Sequence, residues 1–110
     1  MNLTVAQDQK YQEGGWWKWS VWMEGSDDDL DQIREVTYKL HHTFTKPLRT
    51  TNDRAKKFKL KEEGWGVFPI HVKVLLKNGG VLQLKHDLEL FYPDGTAEAE
   101  DGPIAPPTRS

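Results

Sequence analysis

The sequence predicts an all-β fold, a single domain built as an immunoglobulin-like antiparallel β-sandwich. Three observations lead to this prediction. The chain has 110 residues, which is enough for one hydrophobic core and too few for two. Several segments alternate apolar and polar residues, the pattern of half-buried strands. Glycine, proline and acidic clusters separate these segments at short intervals, as turns do between the short strands of a sandwich.

The first clear strand follows a cluster of tryptophans. Trp19, Val21 and Met23 fall on one face of this segment, and polar residues together with Trp22 fall on the other. This alternation predicts that Trp19 belongs to the core. Residues 1–15, which precede it, are predicted to form an N-terminal lead-in that includes a strand.

Residues 26–40 fit two patterns. Leu30 and Ile33 have helical spacing behind Ser26, a candidate N-cap. From about Glu35 onward the residues alternate and are rich in β-branched side chains, which favours a strand. We predict a loop that includes up to one helical turn, followed by a strand from about Glu35.

Three later segments alternate with period two, over residues 57–62, 68–76 and 82–90. The lysines of the first segment are predicted to lie on the solvated face of an edge strand, where they block edge-to-edge pairing. Asn78-Gly79-Gly80 separates the other two and predicts a hairpin, because these residues tolerate positive φ. His86 falls on the apolar face of its segment, which predicts a core histidine with a hydrogen-bond partner.

The composition changes at Asp94. From there the chain consists of glycine, alanine, acidic residues and proline, a mixture that buries no core. We therefore predict that the sandwich occupies residues 16–93 and that residues 94–110 form a flexible acidic and proline-rich tail or a linker.

Composition and motifs argue against most enzyme classes. The chain has no cysteine and a formal net charge of −2, so thiolate chemistry is excluded and bulk attraction to nucleic acid or anionic membrane is disfavoured. No catalytic, nucleotide-binding or metal-binding motif is present, and a set such as Ser20, His41 and Asp87 could be assembled in any chain. The N-terminus has no signal-peptide pattern, and no apolar run reaches the ~20 residues of a membrane span. We predict an intracellular binding domain with no cofactor.

Two short stretches carry a family resemblance. Leu40–Pro47 contains His-x-Thr-Phe before a proline, and Glu63–Ile70 contains Gly-Trp-Gly at the start of a long alternating segment. In this order and at this separation they resemble the recognition loops of YEATS domains, the acyl-lysine reader family. The likeness extends from about Trp16 to Tyr92.

The resemblance implies a ligand-binding site formed by His41, Thr43, Phe44, Gly64, Trp65 and Gly66. Phe44 and Trp65 would form the walls of an aromatic sandwich around an acetyl or crotonyl group. The Thr43 hydroxyl would bond the ligand amide, His41 would orient that hydroxyl, and the backbone N–H of Trp65 would donate to the acyl carbonyl. The two glycines would let the backbone approach the ligand, since they lack a Cβ.

The resemblance is greatest to the prokaryotic YEATS branch, which has compact loops and this His-x-Thr-Phe form. Thr43 stands where most eukaryotic readers have serine, and Trp16 and Trp17 are possible additional ligand contacts near the place of a third aromatic. The implied partner is an acylated lysine in a protein or peptide, in the prokaryotic cytoplasm or alternatively in a nucleus. The alternative function is a non-catalytic protein-interaction domain of a defence or signalling system without acyl-lysine binding.

Overall fold

The computed structural model describes residues 2–64 and 66–97. Within them the chain forms seven strands and one short α-helix. Their bounds are β1 Thr4–Gln12, β2 Trp16–Glu24, α1 Asp27–Asp31, β3 Ile33–Lys39, β4 Leu48–Thr51, β5 Leu60–Gly64, β6 Pro69–Leu76 and β7 Val81–Asp87. No helix among the described residues is long and apolar enough to cross a membrane.

The strands form two antiparallel sheets that pack face to face. One sheet has the order β1-β2-β5 and the other the order β4-β3-β6-β7. Every strand pair in both sheets is antiparallel. The all-β sandwich predicted from the alternating segments is therefore confirmed.

The core lies between the sheets and is built from the alternation of the central strands. On β2 the inward residues Trp17, Trp19, Val21 and Met23 are buried, and on β6 every second residue from Ile70 to Leu76 is buried. Side chains alternate between the two faces of a strand, so every second residue of these two strands lies in the core.

The predicted hairpin joins β6 and β7. The backbone N–H of Leu76 donates to the Gly80 carbonyl at 2.8 Å, and that of Gly79 donates to the Leu76 carbonyl at 3.0 Å. Gly79 has φ of 90°, a conformation open to glycine at no steric cost. The turn thereby fixes the register in which Pro69 pairs with Asp87.

Residues 26–40 contain both the helical turn and the strand that their sequence patterns allowed. Ser26 caps α1, and its hydroxyl accepts the Asp29 N–H at 3.1 Å. The prediction of one helical turn is confirmed, but the strand start was wrong by two residues, since β3 begins at Ile33. Leu30 is buried on the helix, so the helical spacing reflects core packing of both Leu30 and Ile33.

The strand predicted over residues 57–62 was also misplaced, because β5 begins at Leu60. A 3₁₀ turn occupies Arg54–Lys56, and Lys57 and Phe58 then have φ of 54° and 58°. Phe58 is fully buried, and its carbonyl accepts the Tyr38 hydroxyl at 2.7 Å. The buried ring and this hydrogen bond hold a backbone conformation that the alternating pattern does not reveal.

The two open sides of the sandwich are closed by side chains. On one side the Gln7 amide of edge strand β1 contacts the Glu89 backbone twice: its Nε2 donates to the carbonyl at 2.6 Å and its Oε1 accepts the N–H at 2.9 Å. On the other side Arg49 of β4 pairs with Glu62 of β5 at 2.9 Å. The first contacts join β1 to the segment that follows β7, and the second joins the edge strands β4 and β5 of different sheets.

Beyond β7 the chain follows the edge of β1 and then turns. The Gly95 N–H donates to the Tyr92 carbonyl at 2.8 Å, and Phe91 forms a bridge with Ala97. The remainder of the predicted tail, residues 98–110, lies outside the described residues.

Candidate functional site

The first predicted recognition segment is a short loop between β3 and β4. The Leu40 N–H donates to the Pro47 carbonyl at 2.7 Å, and the Phe44 N–H donates to the His41 carbonyl at 3.1 Å. The first bond closes the base of the loop and the second forms a turn within it. Residues 41–46 are therefore held together at one end of the sandwich.

His41 and Thr43 are hydrogen-bonded within this loop. The Thr43 N–H donates to His41 Nδ1 at 3.3 Å, and the Thr43 hydroxyl lies 3.0 Å from the same nitrogen. A backbone N–H can only donate, so Nδ1 accepts, the hydroxyl donates its hydrogen to Nδ1, and the ring proton resides on Nε2. The predicted role of His41 in orienting the Thr43 hydroxyl fits this geometry.

His42 packs beside His41. Their ring centroids are 4.2 Å apart at an interplanar angle of 35°. Thr43 and His42 are both exposed, whereas His41 is half-buried. The loop therefore presents polar groups outward over an aromatic base.

Phe44 forms that base. It is 5% exposed, and its ring centroid lies 5.6 Å from Phe68 and 6.3 Å from Trp19. Phe68 also lies edge-on to His41 at 6.0 Å. Phe68 therefore joins the 41–44 loop to the second predicted segment.

The second segment begins where β5 ends. Gly64 pairs with Trp17 across the sheet, and both Gly64 and Gly66 are buried. Trp65 lies outside the described residues, so its part in the site stays a prediction. The role of Phe44 as the facing wall of an aromatic sandwich likewise stays a prediction.

Trp17 is not available to a ligand, which corrects its place among the possible contacts. It is fully buried, its Nε1 donates to the Phe91 carbonyl at 2.8 Å, and its ring packs edge-on against Tyr11 and Tyr92. The physical reason is its inward position on β2, in phase with Trp19. Trp16 points to the other face and is half-buried.

Two supporting residues of the site, Trp19 and Phe68, were not among the predicted site residues: Trp19 was predicted as core, and Phe68 begins the alternating segment over residues 68–76. Trp19 also carries a buried indole Nε1–H without an acceptor among the described residues, and an unpaired donor of this kind costs about 1–3 kcal/mol. The alternating pattern identified both residues as inward-facing. It carried no signal that they pack beneath the His41–Phe44 loop.

The arrangement suits recognition of a neutral ligand with a planar polar group. It combines an oriented hydroxyl, an aromatic base and a glycine-flanked segment at one end of the sandwich. Among the described residues no cluster of three or more histidine or acidic side chains could hold a metal ion.

Comparison with known proteins identifies the family of this chain. The family model of the prokaryotic YEATS domain matches residues 17–89. The AF-9 homolog of Mycosarcoma maydis is 36% identical over 93 residues, which is 80% of this chain and 21% of that protein. The AF-9 homolog of Saccharomyces cerevisiae is 33% identical over 90 residues, covering 76% of this chain and 39% of that protein. The chain thus spans less than half the length of these two relatives.

Solved structures agree with this placement. The Yaf9 YEATS domain recognizing an H3K122suc peptide has a TM-score of 0.65 and 28% identity, covering 86% of this chain and 79% of that chain. The Yaf9 YEATS domain bound to H3K27ac has a TM-score of 0.62 and 25% identity, covering 88% and 80%. These neighbours are reader domains with acylated histone peptides bound. The chain belongs to the prokaryotic YEATS domain family.

Proposed function

We propose that this domain is a reader of acylated lysine, which binds the modified side chain at the end of the sandwich formed by residues 41–44 and 64–66. The observation that carries the proposal is the hydrogen bond between Thr43 and His41 Nδ1. It orients the hydroxyl of the exposed Thr43, which precedes the buried Phe44 in a loop whose Phe44 ring packs against Phe68.

The chemistry of the ligand fits these groups. Acylation removes the lysine charge and leaves a planar amide with one N–H donor and one carbonyl acceptor. The Thr43 hydroxyl directs its hydrogen to His41, and its oxygen has two lone pairs with which to accept the amide N–H. The backbone N–H at Trp65 would donate to the carbonyl. An amide buried without such partners costs about 1–3 kcal/mol, so these two bonds set specificity.

The aromatic residues would hold the acyl group itself. Flat acyl tails stack on π-faces, and Phe44 and Trp65 are the aromatic residues of the two recognition segments. Binding of acylated peptides by the Yaf9 YEATS domain supports this assignment. The proposed mechanism contains no bond-making step, which is consistent with a domain that binds and does not catalyse.

The test is a titration with lysine peptides that differ only in acylation: unmodified, acetylated and crotonylated. Binding is followed by tryptophan fluorescence and amide NMR shifts. We expect binding that depends on the acyl group and is lost in Trp65→Ala. Thr43→Ala should weaken it about tenfold, because a single hydrogen bond contributes about 1 kcal/mol or somewhat more.

The matched control is Thr45→Ala, an exposed threonine of the same loop. It should leave affinity within about twofold, since a surface substitution changes free energies by about 0.5 kcal/mol or less. Equal affinity for the unmodified and the acylated peptides would refute the reader function. An equal loss in both threonine variants would remove Thr43 from the site.

A second candidate function is a protein-interaction domain without acyl-lysine binding. The observation that favours it is the burial of Phe44, which is only 5% exposed and so offers little ring surface to a ligand. No acyl-dependent shift at millimolar peptide, with partner association retained, would support this function over the first.

A further inference from the structure

The outer face of the three-stranded sheet carries a groove. It has a volume of about 550 Å³, and lysines from all three strands line it. From β2 it is lined by the outward residues Lys18 and Ser20. Ser20 is 5% exposed, so a small side chain forms the floor while longer ones form the walls.

The lysines of this groove lack acidic partners. Lys10 and Lys18 pair directly across β1 and β2, and like charges in opposite positions of an antiparallel pair are destabilising. Lys61 lies opposite Ser20 on β5. In the part of the chain that the structure describes, the basic residues that form ion pairs are Arg49, Arg54, Lys57 and Lys85. Lys10, Lys18 and Lys61 form none there.

Three carboxylates also line the groove, those of Asp8, Glu62 and Glu63, and Glu63 lies opposite Lys18. Asp8 accepts a hydrogen bond from the Ser20 hydroxyl, and Glu62 pairs with Arg49 at 2.9 Å. Four lysines line the same groove, Lys10, Lys18, Lys59 and Lys61, so positive charge exceeds negative charge there.

The groove begins beside the candidate site. Lys18 pairs with Glu63, the residue before Gly64, and Ser20 pairs with Lys61 two positions farther along β5. Successive residues of a strand advance about 3.3 Å. An extended peptide with its acylated lysine at residues 64–66 would reach the lysines within roughly two to five residues.

We infer that the partner of this domain carries acidic residues within a few positions of its acylated lysine, and that these carboxylates dock on Lys10, Lys18 and Lys61. The inference rests on the proposed acyl-lysine function. A short acidic peptide fits the groove better than a nucleic acid, because Asp8 and Glu63 also line it and the chain has a net charge of −2. A continuous polyanion would be repelled by both.

The test uses two acetyl-lysine peptides of equal length, one flanked by glutamates and one by glutamines, with their unacetylated counterparts. At low salt we expect the glutamate peptide to bind about two- to tenfold more tightly, as exposed ion pairs contribute about 0.2–1 kcal/mol each. The preference should shrink in 0.5 M salt, since the screening length falls from about 10 Å at 0.1 M to about 3 Å at 1 M.

The Lys10→Gln/Lys18→Gln variant should abolish this preference and leave the affinity for the glutamine-flanked acetylated peptide unchanged. Its matched control is Lys39→Gln/Lys73→Gln, two exposed lysines in the groove on the outer face of the other sheet. The control should retain the preference.

The outcomes separate the two proposals. Acetyl-dependent binding with no preference for glutamate overturns this inference and leaves the reader function standing. A lysine-dependent preference for glutamate without acetyl dependence supports the groove and overturns the reader function. Tighter binding of a single-stranded oligonucleotide than of the acidic peptide, lost in the Lys10→Gln/Lys18→Gln variant, overturns the assignment of the groove to a peptide.

Discussion

Single residues of this domain take roles that depend on what surrounds them. His86 was predicted to be a core histidine with a partner, and it is half-buried with Nε2 2.7 Å from Gln7 Oε1. The same oxygen accepts the Glu89 N–H. A carboxamide oxygen can only accept, so Nε2 carries the proton of the neutral ring.

This environment makes the stability of the fold sensitive to pH. Burial lowers the pKa of His86 below its ordinary value of 6.5, although the nearby carboxylates of Asp87 and Glu89 act in the opposite direction. The folded pKa is thus below the unfolded one, so the unfolded chain binds the proton first as the pH falls. The contribution of His86 is complete above about pH 6.5 and is lost progressively below it.

We expect the free energy of unfolding, measured by urea denaturation from pH 8 to pH 5, to fall below pH 6.5. In His86→Gln this slope should be smaller, because glutamine keeps a donor for Gln7 Oε1 and has no proton to gain. Equal slopes in both proteins would show that another group is responsible.

Among the elements of the fold, the segment between β4 and β5 differs most from the structure that its alternating sequence predicts. Residues 57–62 alternate, yet the backbone of Lys57 and Phe58 is left-handed. The reason is tertiary: the Phe58 N–H donates to the Asp53 carbonyl, and its own carbonyl accepts the Tyr38 hydroxyl. Burial also raises the pKa of Tyr38 above its ordinary value of 10.0, so the hydroxyl stays protonated as a donor.

The left-handed conformation of Lys57 predicts that glycine is tolerated better there. A non-glycine residue in this region costs about 1–2 kcal/mol, and the extra flexibility of glycine in the unfolded chain costs about 0.5–1 kcal/mol. Lys57→Gly should raise the free energy of unfolding by about 0.5–1 kcal/mol, measured by urea denaturation.

Lys56 provides the matched control for this substitution. It is equally exposed but lies in the 3₁₀ turn without a positive φ. Lys56→Gly should therefore lower the free energy of unfolding by about 0.5–1 kcal/mol. The same sign for both substitutions would contradict the assignment of strain to Lys57.

For the whole molecule, side-chain contacts close the two sides of the sandwich. The two hydrogen bonds between the Gln7 side chain and the Glu89 backbone form a clasp along one side, and the Arg49–Glu62 ion pair joins the sheets along the other. The proposed recognition segments lie at an end of the sandwich, where strands β3, β5 and β6 meet loops.

The clasp predicts that Gln7 stabilises the sandwich more than other surface glutamines do. Gln7→Ala removes both contacts to the Glu89 backbone and the partner of His86. We expect it to lower the free energy of unfolding by about 1–3 kcal/mol, since several polar groups lose their partners together. Gln83→Ala, an exposed glutamine of β7, should change it by about 0.5 kcal/mol or less. Similar losses in both variants would show that the clasp contributes nothing specific.

The sequence alone determined the sandwich class, the central strands, the hairpin and the two motif segments that carry the family resemblance. All of these follow from local properties: period-two alternation, the positive φ that glycine permits, and motif residues adjacent in the chain. A residue's face on its own strand is fixed by its position, so Trp19 was predicted as core, with Val21 and Met23 on the same face.

Only the tertiary structure decided which residues the inward faces of the strands pack against. The left-handed backbone at Phe58 and the start of β3 at Ile33 depend on contacts with residues distant in the chain. The lysine groove depends on register, which brings Lys10, Lys18 and Lys61 together from three strands. Register is set by long-range pairing between strands, and an alternating pattern within one strand carries no information about it.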